Sequence, residues 1–401
     1  MRILSVTQSY APFCEFGGPP VKVEALARGL VRRGFNPTVL SADWGFEKRR
    51  EADPREVTSR RSPFGWTRDA NGVQSIYLPT WFRYRALTWN PAVGRYCRAR
   101  LKQFDVVHIF GLYDFLGPAV ARACRKQGIP YVVEPIGMFV PMVRSIALKR
   151  LYHALWGGRM LKGAARVVAT SEQEVRELAG GGIAADKIVL RRNGVEIPRE
   201  QPERGAFRTQ HGIPSEALMV LYLGRLSAKK SPELLLEAFA ALPREIGGNT
   251  VWLVFAGPDE AGMLERLASR ARELTVSERV VFPGSVLGEK KWAAYCDADV
   301  FVLPSQNENF GNTAAEAAAC GTPVVVTENC GVAPLLADSA GIVVRHETSD
   351  IRKAVQQVLS DRGLRERLGQ GGRLAAGRLG WEQPVAEMER LYLELSGNMV
   401  R

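Results

Sequence analysis

Two glutamates with seven residues between them, Glu308 and Glu316, stand in a stretch from Pro304 to Gly331 that is otherwise small, polar or apolar. Ionised carboxylates are acceptors only, so they are poor ligands for phosphate and good partners for the hydroxyl groups of a sugar or a ribose. Earlier in the chain Arg225, Lys229 and Lys230 follow the apolar run ALMVLYLG. A guanidinium fork and an ammonium point charge suit a diphosphate. The plainer alternative makes Glu308 a solvated turn residue, Glu316 a surface charge and the cations a solvated helix start.

The elements that must hold these groups can be read from apolar periodicity. Val300–Leu303 is uncharged and apolar, as a strand buried on both faces must be. After it come a turn with Asn309, Gly311 and Asn312, a helix beginning near Asn312 that Gly321 stops, and a strand at 323–326. Strand, turn and helix in that order aim backbone N–H groups and a positive dipole end out of the carboxyl edge of a sheet, which is a place for an anion. The run 217–224 is a further strand, and a helix starts after it near Pro232.

The same alternation runs through the rest of the chain. Strands are expected at 2–7, 36–41, 105–110, 131–133, 166–170 and 187–191, then at 251–257, 280–284 and 342–344. Residues 47–68 read as a polar, Arg-rich loop, and the stretch from 360 to Gly380 as a Gly-rich, Arg-rich segment ahead of a terminal helix at 381–395. Ser171 and Glu174 are spaced as a capping box. After the first strand, Gly17 and Gly18 precede two prolines. Glycines let backbone approach a ligand closely, but no G-x-G-x-x-G is present and a nicotinamide cofactor is not expected.

With 401 residues the chain is long for one domain. The expected division is 1–198 with the terminal helix 381–401, and 199–380. Six cysteines without C-x-x-C spacing read as reduced core residues, and four scattered histidines give no metal site. The chain enters a strand directly and holds no apolar run near the roughly 18 residues of a span, so neither a signal peptide nor a membrane helix is expected and the setting is cytoplasmic.

The formal charge of +12 is uneven. Residues 1–200 hold 32 Lys and Arg against 17 Asp and Glu, a net +15, whereas residues 201–401 hold 22 against 25, a net −3. Trp66, Trp81, Phe82, Arg83, Tyr84, Arg85 and Trp89 interleave rings with arginine. The helical stretch 141–162 sets Arg144, Lys149, Arg150, Arg159 and Lys162 among apolar residues. For the rings, a membrane interface or an acceptor-binding lip is one expectation and a cluster buried beneath a loop is the other. For 141–162 the apolar spacing is first that of a helix packed on the sheet with solvated charges, and contact with an anionic membrane is the alternative. Nucleic acid is not expected, because none of its recognition modules appears.

The stretch holding Glu308 and Glu316, continued by CGTPVV, resembles the E-x7-E signature of retaining glycosyltransferases of the two-Rossmann-domain (GT-B) type, family four. The segment G-R-L-x-x-x-K ending at Lys230 resembles that family's phosphate-binding turn, with Ser231 in place of the usual Gly. The resemblance implies an α/β fold of two Rossmann-like domains facing a cleft, with the C-terminal helix returning to the N-terminal domain. It implies transfer of a sugar from a nucleoside diphosphate donor, UDP ahead of GDP, to a glycan or lipid-linked acceptor, with no cofactor and no metal.

By position, the resemblance gives Glu308 the donor-sugar hydroxyls, Glu316 the ribose, and Arg225 and Lys230 the diphosphate. It sets Gly17, Gly18, Asn309, Phe310, Gly311, Asn312 and Thr313 around the donor, and Gly284 and Val286 beside the base. In the loop after strand 131–133, Glu134 and Gly137 fall on the acceptor side, and Ile136 stands where relatives commonly carry a histidine. That departure keeps open a non-catalytic or weakly active nucleotide-sugar binder of the same fold. A nucleotide-sugar 2-epimerase is the other alternative, poorly served by so few histidines.

Overall fold

The computed structural model describes residues 1–13, 18–49, 58–84, 87–141, 145–198 and 200–397. The chain divides into two compact units, Met1–Gly194 with Trp381–Arg401, and Val195–Gly380.

The first unit contains strands β1 (Arg2–Thr7), β2 (Asn36–Ala42), β3 (Thr58–Ser62), β4 (Gly65–Ala70), β5 (Val73–Leu78), β6 (Phe82–Tyr84), β7 (Leu87–Trp89), β8 (Val106–Phe110), β9 (Tyr131–Glu134), β10 (Arg166–Ala169) and β11 (Ile188–Leu190). Nine of them form one sheet in the order β11-β10-β9-β8-β1-β2-β5-β4-β3, while β6 and β7 make a separate hairpin. From β11 to β5 every pairing is parallel, and the β5-β4-β3 edge is antiparallel. The edge corrects the loop reading of 47–68. Charged residues crowd β3 because an edge strand faces solvent, which hides it from an apolar-pattern search.

Apolar residues cover both sheet faces: Leu4 and Val6 join one cluster, Ile3 and Val39 the other. The helix Glu382–Leu395 closes the second cluster with Val385, Met388, Leu391 and Tyr392. It is fixed to the helix Gly18–Arg32 at Gly29, where a Cβ would come 2.4 Å from Val385 Cγ2, and through Arg33, whose guanidinium bonds Glu389 at 2.6 Å and also Glu382. Residues 146–162 form one helical run with a π turn at His153–Gly157. Arg85 and Arg144 lie outside the described residues.

The second unit contains β12 (Leu218–Leu223), β13 (Glu245–Ile246), β14 (Asn249–Ala256), β15 (Val280–Gly284), β16 (Val300–Leu303), β17 (Val324–Thr327) and β18 (Gly341–Val344). Apart from the short antiparallel β13, pairing is parallel in the order β15-β14-β12-β16-β17-β18. Along β12, Met219, Leu221 and Leu223 enter one core cluster and Leu218, Val220 and Tyr222 the other, as alternation requires of a strand covered on both faces.

The Gly-rich, Arg-rich segment is a helix, Arg362–Leu379, capped by Asp361 accepting from Leu364 N at 2.9 Å. Each interior glycine weakens a helix by about 1 kcal/mol relative to Ala, which is why the composition reads as loop. Here a Cβ at Gly371 would sit 1.8 Å from Ser339 O and one at Gly372 2.2 Å from Ala318 O. Gly372 lets this helix lie backbone to backbone on the helix Asn312–Ala319 and Gly371 on the backbone at Ser339, and the packing offsets their cost.

Candidate functional site

In the second unit the strand order reverses at β12. β14 and β15 build outward on one side, and β16, β17 and β18 on the other. Loops leaving the carboxyl ends of β12 and β16 therefore flank a crevice, the place where open parallel sheets take ligands. Arg225 and Lys230 leave β12 and Glu308 leaves β16, so topology alone brings the two constellations together. The loops are joined by Gln306 N donating to Lys229 O at 3.1 Å, and the Lys230 ammonium is in salt-bridge contact with the Glu308 carboxylate. Both side chains stay partly open, at 22% and 17% of their surface.

Burial lowers the Lys230 ammonium to about 8. The Cys330 side chain opposes this, and the charges of Lys229 and Arg225 add to it. Arg225 is over half exposed and reaches Glu260 at 3.5 Å, while its carbonyl accepts from Tyr222 Oη at 2.7 Å. Ser231 has φ 50°, in the left-handed region that favours glycine, and its Oγ lies 2.9 Å from His346 Nε2. That hydrogen bond holds a serine where the backbone asks for Gly.

The turn after β16 is braced from β17. Glu308 N donates to Asn329 O at 2.9 Å, Gly331 N to Glu308 O at 2.9 Å, and Val332 N to Phe310 O at 2.6 Å. Phe310 is buried in the core. Gly311, the N-cap of the helix Asn312–Ala319, has φ 98°, and a Cβ there would meet Cys330 Sγ at 2.5 Å, so only glycine fits. Asn309, Asn312 and Thr313 border this helix start.

Glu316 lies on the second turn. Its Oε1 accepts from Lys291 Nζ at 2.9 Å and its Oε2 from Tyr295 Oη at 2.9 Å. Burial, followed by the Glu316 charge, raises the Tyr295 phenol well above its ordinary value, so it stays a donor. Lys291 and Tyr295, together with His346, are the residues that sequence reasoning missed. The first two are spaced i, i+4 on the helix Glu289–Asp297, the only signal that could have paired them.

The remaining expected residues are placed differently. Gly284 ends β15 with φ 75° and its carbonyl accepts from Gly257 N at 2.7 Å. Val286 is packed in the core, and the apolar side chain left open beside it is Leu287, 75% exposed. In the first unit Gly17 lies outside the described residues and Gly18 opens the helix Gly18–Arg32. Gly137 N donates to Glu174 Oε1 at 2.6 Å, and Ile136 has φ 57°, a strained conformation for a β-branched residue. The partner of Glu174 in the capping box is shifted by one: its Oε2 accepts from Thr170 N at 2.8 Å, while Ser171 Oγ accepts from Glu174 N at 3.1 Å.

Glu134 is not open to a ligand. Its Oε1 accepts from Lys22 Nζ at 2.5 Å, its Oε2 from the Arg191 guanidinium, and all three side chains are buried. Burial alone would raise this carboxyl, but the Arg191 and Lys22 charges outweigh it and hold it near 2. His108, 3.6 Å from Glu134, is lowered by burial to about 3 and stays neutral, its Nδ1 lying 2.6 Å from Tyr392 Oη.

Among the described residues, no three His, Cys, Asp or Glu side chains come together in a way that could hold a metal ion. No helix among them is long and apolar enough to cross a membrane.

Two α/β units of this topology, with cations and carboxylates at the reversal of strand order, define a protein of the GT-B class. Comparison with known proteins then gives the family. The Glycosyl transferases group 1 description matches residues 203–375 and the Glycosyl transferase 4-like domain residues 17–194. A D-inositol 3-phosphate glycosyltransferase of Thermomonospora curvata is 32% identical over 94% of this chain and 90% of its own. One of Streptomyces bingchenggensis is 35% identical over 59% of this chain, which spans 55% of that relative. Anabaena HepE, solved in complex with UDP and glucose, superposes with a TM-score of 0.74 at 18% identity, covering 100% of both chains. The chain belongs to the group 1 glycosyltransferases.

Proposed function

We propose that this protein moves a hexose-like sugar from a nucleoside diphosphate donor, uridine ahead of guanosine, to a glycan or lipid-linked acceptor, with retention of anomeric configuration and without a divalent metal. The observation that carries the reading is the contact of Lys230 with Glu308 at the reversal of strand order. It supports a site where one group can grip phosphate and its neighbour can hold sugar hydroxyls. The donor belongs to the second unit, with Arg225, Lys230 and the amides after Asn309 on the diphosphate, Glu308 on the sugar and Glu316 on the ribose. The acceptor belongs to the first unit. A UDP complex in a protein of the same fold favours a uridine donor.

Without donor, Lys230 and Glu308 satisfy each other. A bound diphosphate takes Lys230, and sugar hydroxyls take Glu308, so the ion pair is exchanged for ligand contacts. As the glycosidic bond breaks, negative charge grows on the β-phosphate, and donors already aimed there lower the barrier. Glu316, oriented by Lys291 and Tyr295, fixes the ribose and with it the phosphate position.

The test is a thermal-shift panel of nucleotide sugars followed by an assay with the stabilising donor. Lys230→Ala lowers transfer by about 10² to 10³ while the melting temperature without ligand holds. Full transfer by folded Lys230→Ala sinks the assignment, and a β product from an α donor, read by NMR, sinks retention. Ile136, at φ 57° where the family resemblance implies a histidine, favours one second reading: a binder without turnover. It would be stabilised by the donor yet neither hydrolyse nor transfer it.

A further inference from the structure

Two segments of the first unit are free of acidic residues. Residues 70–104 hold six arginines and lysines and no Asp or Glu, and residues 135–171 likewise hold six and none. The same segments hold nine of the twelve exposed large apolar side chains among the described residues. On the helical run 146–162, Tyr152, Met160 and Leu161 are buried, while Leu148, Leu151 and Leu155, spaced i, i+3, i+7, are 60%, 52% and 44% exposed. That helix has two apolar stripes, and only one of them packs on the unit. The β6–β7 hairpin adds Trp81 at 78% and Phe82 at 58%.

Phe115, which belongs to neither segment, bridges the two. The Trp89 ring lies edge-on to Phe115, centroids 5.8 Å apart, and Phe115 edge-on to Trp156 at 5.4 Å. Arg150, Arg159 and Lys162 are exposed on the helical run, and Arg83 on the hairpin. The acid nearest in sequence to Phe115, Asp114, is buried, its carboxylate accepting from Gly117 N at 2.7 Å. An exposed apolar ridge between cations, with rings at its border and no acid on either segment, is complementary to one kind of surface. Leucines enter the acyl boundary, tryptophans settle at headgroup depth, and cations meet anionic headgroups.

We infer that the ridge formed by the 146–162 helical run and the β6–β7 hairpin is a docking surface for an anionic lipid bilayer. It needs neither donor nor acceptor, so it stands or falls apart from the transferase reading. The full chain is sedimented with vesicles of phosphatidylcholine alone and of equal parts phosphatidylcholine and phosphatidylglycerol. It binds the second, not the first, and added salt weakens binding.

Leu148→Gln with Leu151→Gln and Leu155→Gln, all at exposed positions, lowers the partition coefficient about tenfold or more at unchanged melting temperature, as does Arg150→Glu with Arg159→Glu. Failure of the parent chain to bind, equal binding to both vesicles, or equal binding by parent and variants overturns the inference. So does a parent dimer that the leucine variant dissolves without any vesicle binding, which would make a second copy the occupant.

Discussion

Each unit places a lysine against a glutamate at the carboxyl ends of parallel strands, and the two pairs have opposite fates. In the first, Lys22 follows β1 on the Gly18–Arg32 helix and Glu134 ends β9. Both are sealed, at 2% and 0% exposure, and Arg191 occupies the carboxylate oxygen that Lys22 leaves. In the second, Lys230 and Glu308 keep 22% and 17% of their surface open. The sealed carboxylate has spent its acceptors on protein and holds three elements together, with His108 and Tyr392 extending the cluster to the terminal helix. The open pair has a partner that solvent or a ligand can replace. Residue type and the carboxyl edge of a parallel sheet are shared, although β8 stands between β1 and β9 while β12 and β16 are neighbours; what separates the sealed pair from the open one is the second cation and the loss of water.

The sharpest way to break the comparison is to remove each glutamate. Glu134→Ala leaves Lys22 and Arg191 as buried cations without their carboxylate, a change that costs about 3 to 5 kcal/mol. Glu308→Ala leaves Lys230 beside water and changes stability by less than about 1 kcal/mol. Urea unfolding of both variants measures the difference. Equal losses would mean that the two pairs are the same kind of structural contact.

A finer cut keeps the fold and separates the ion pair of Glu308 from the sugar-binding role proposed for it. Glu308→Gln releases Lys230 from its ion pair while leaving a side chain of the same shape. UDP alone then binds more tightly, by about threefold to tenfold, the scale of a partly exposed ion pair. Transfer falls by about 10², because the neutral amide holds the sugar hydroxyls less well as charge develops. Calorimetric titration with UDP beside a transfer assay reads both, and a fall in UDP affinity would remove the competition between Glu308 and phosphate.

Much of the second unit was legible because its strands are covered on both faces and must read as apolar runs, as Leu218–Leu223 and Val300–Leu303 do. The helix start at Asn312 followed from turn chemistry and periodicity. What stayed hidden depends on contacts distant in sequence. Glu134 meets Lys22 across 112 positions and Arg191 across 57, so nothing local marks it as sealed. Lys291 and Tyr295 look like a solvated helix face until Glu316 is placed against them. The helix Arg362–Leu379 was obscured by its glycines, whose use is close approach to Ser339 and Ala318 rather than local propensity.

The smallest effect, and the one that tests the surroundings of Lys230 most directly, is in pH. In the proposed role Lys230 grips phosphate only when protonated, and burial lowers its ammonium to about 8 in the ligand-free protein. Below that value the cation is present, and UDP affinity is flat from neutrality up to it. Above it each bound nucleotide must first restore a proton to Lys230, so affinity falls toward about tenfold per pH unit. Lys230→Arg, whose guanidinium stays charged throughout, removes the bend even if it binds more weakly. Titrations with UDP across this range decide the matter: a parent protein whose affinity is level to well above pH 9, or an arginine variant that keeps the bend, would place the titrating group elsewhere and leave Lys230 as an ordinary solvated lysine.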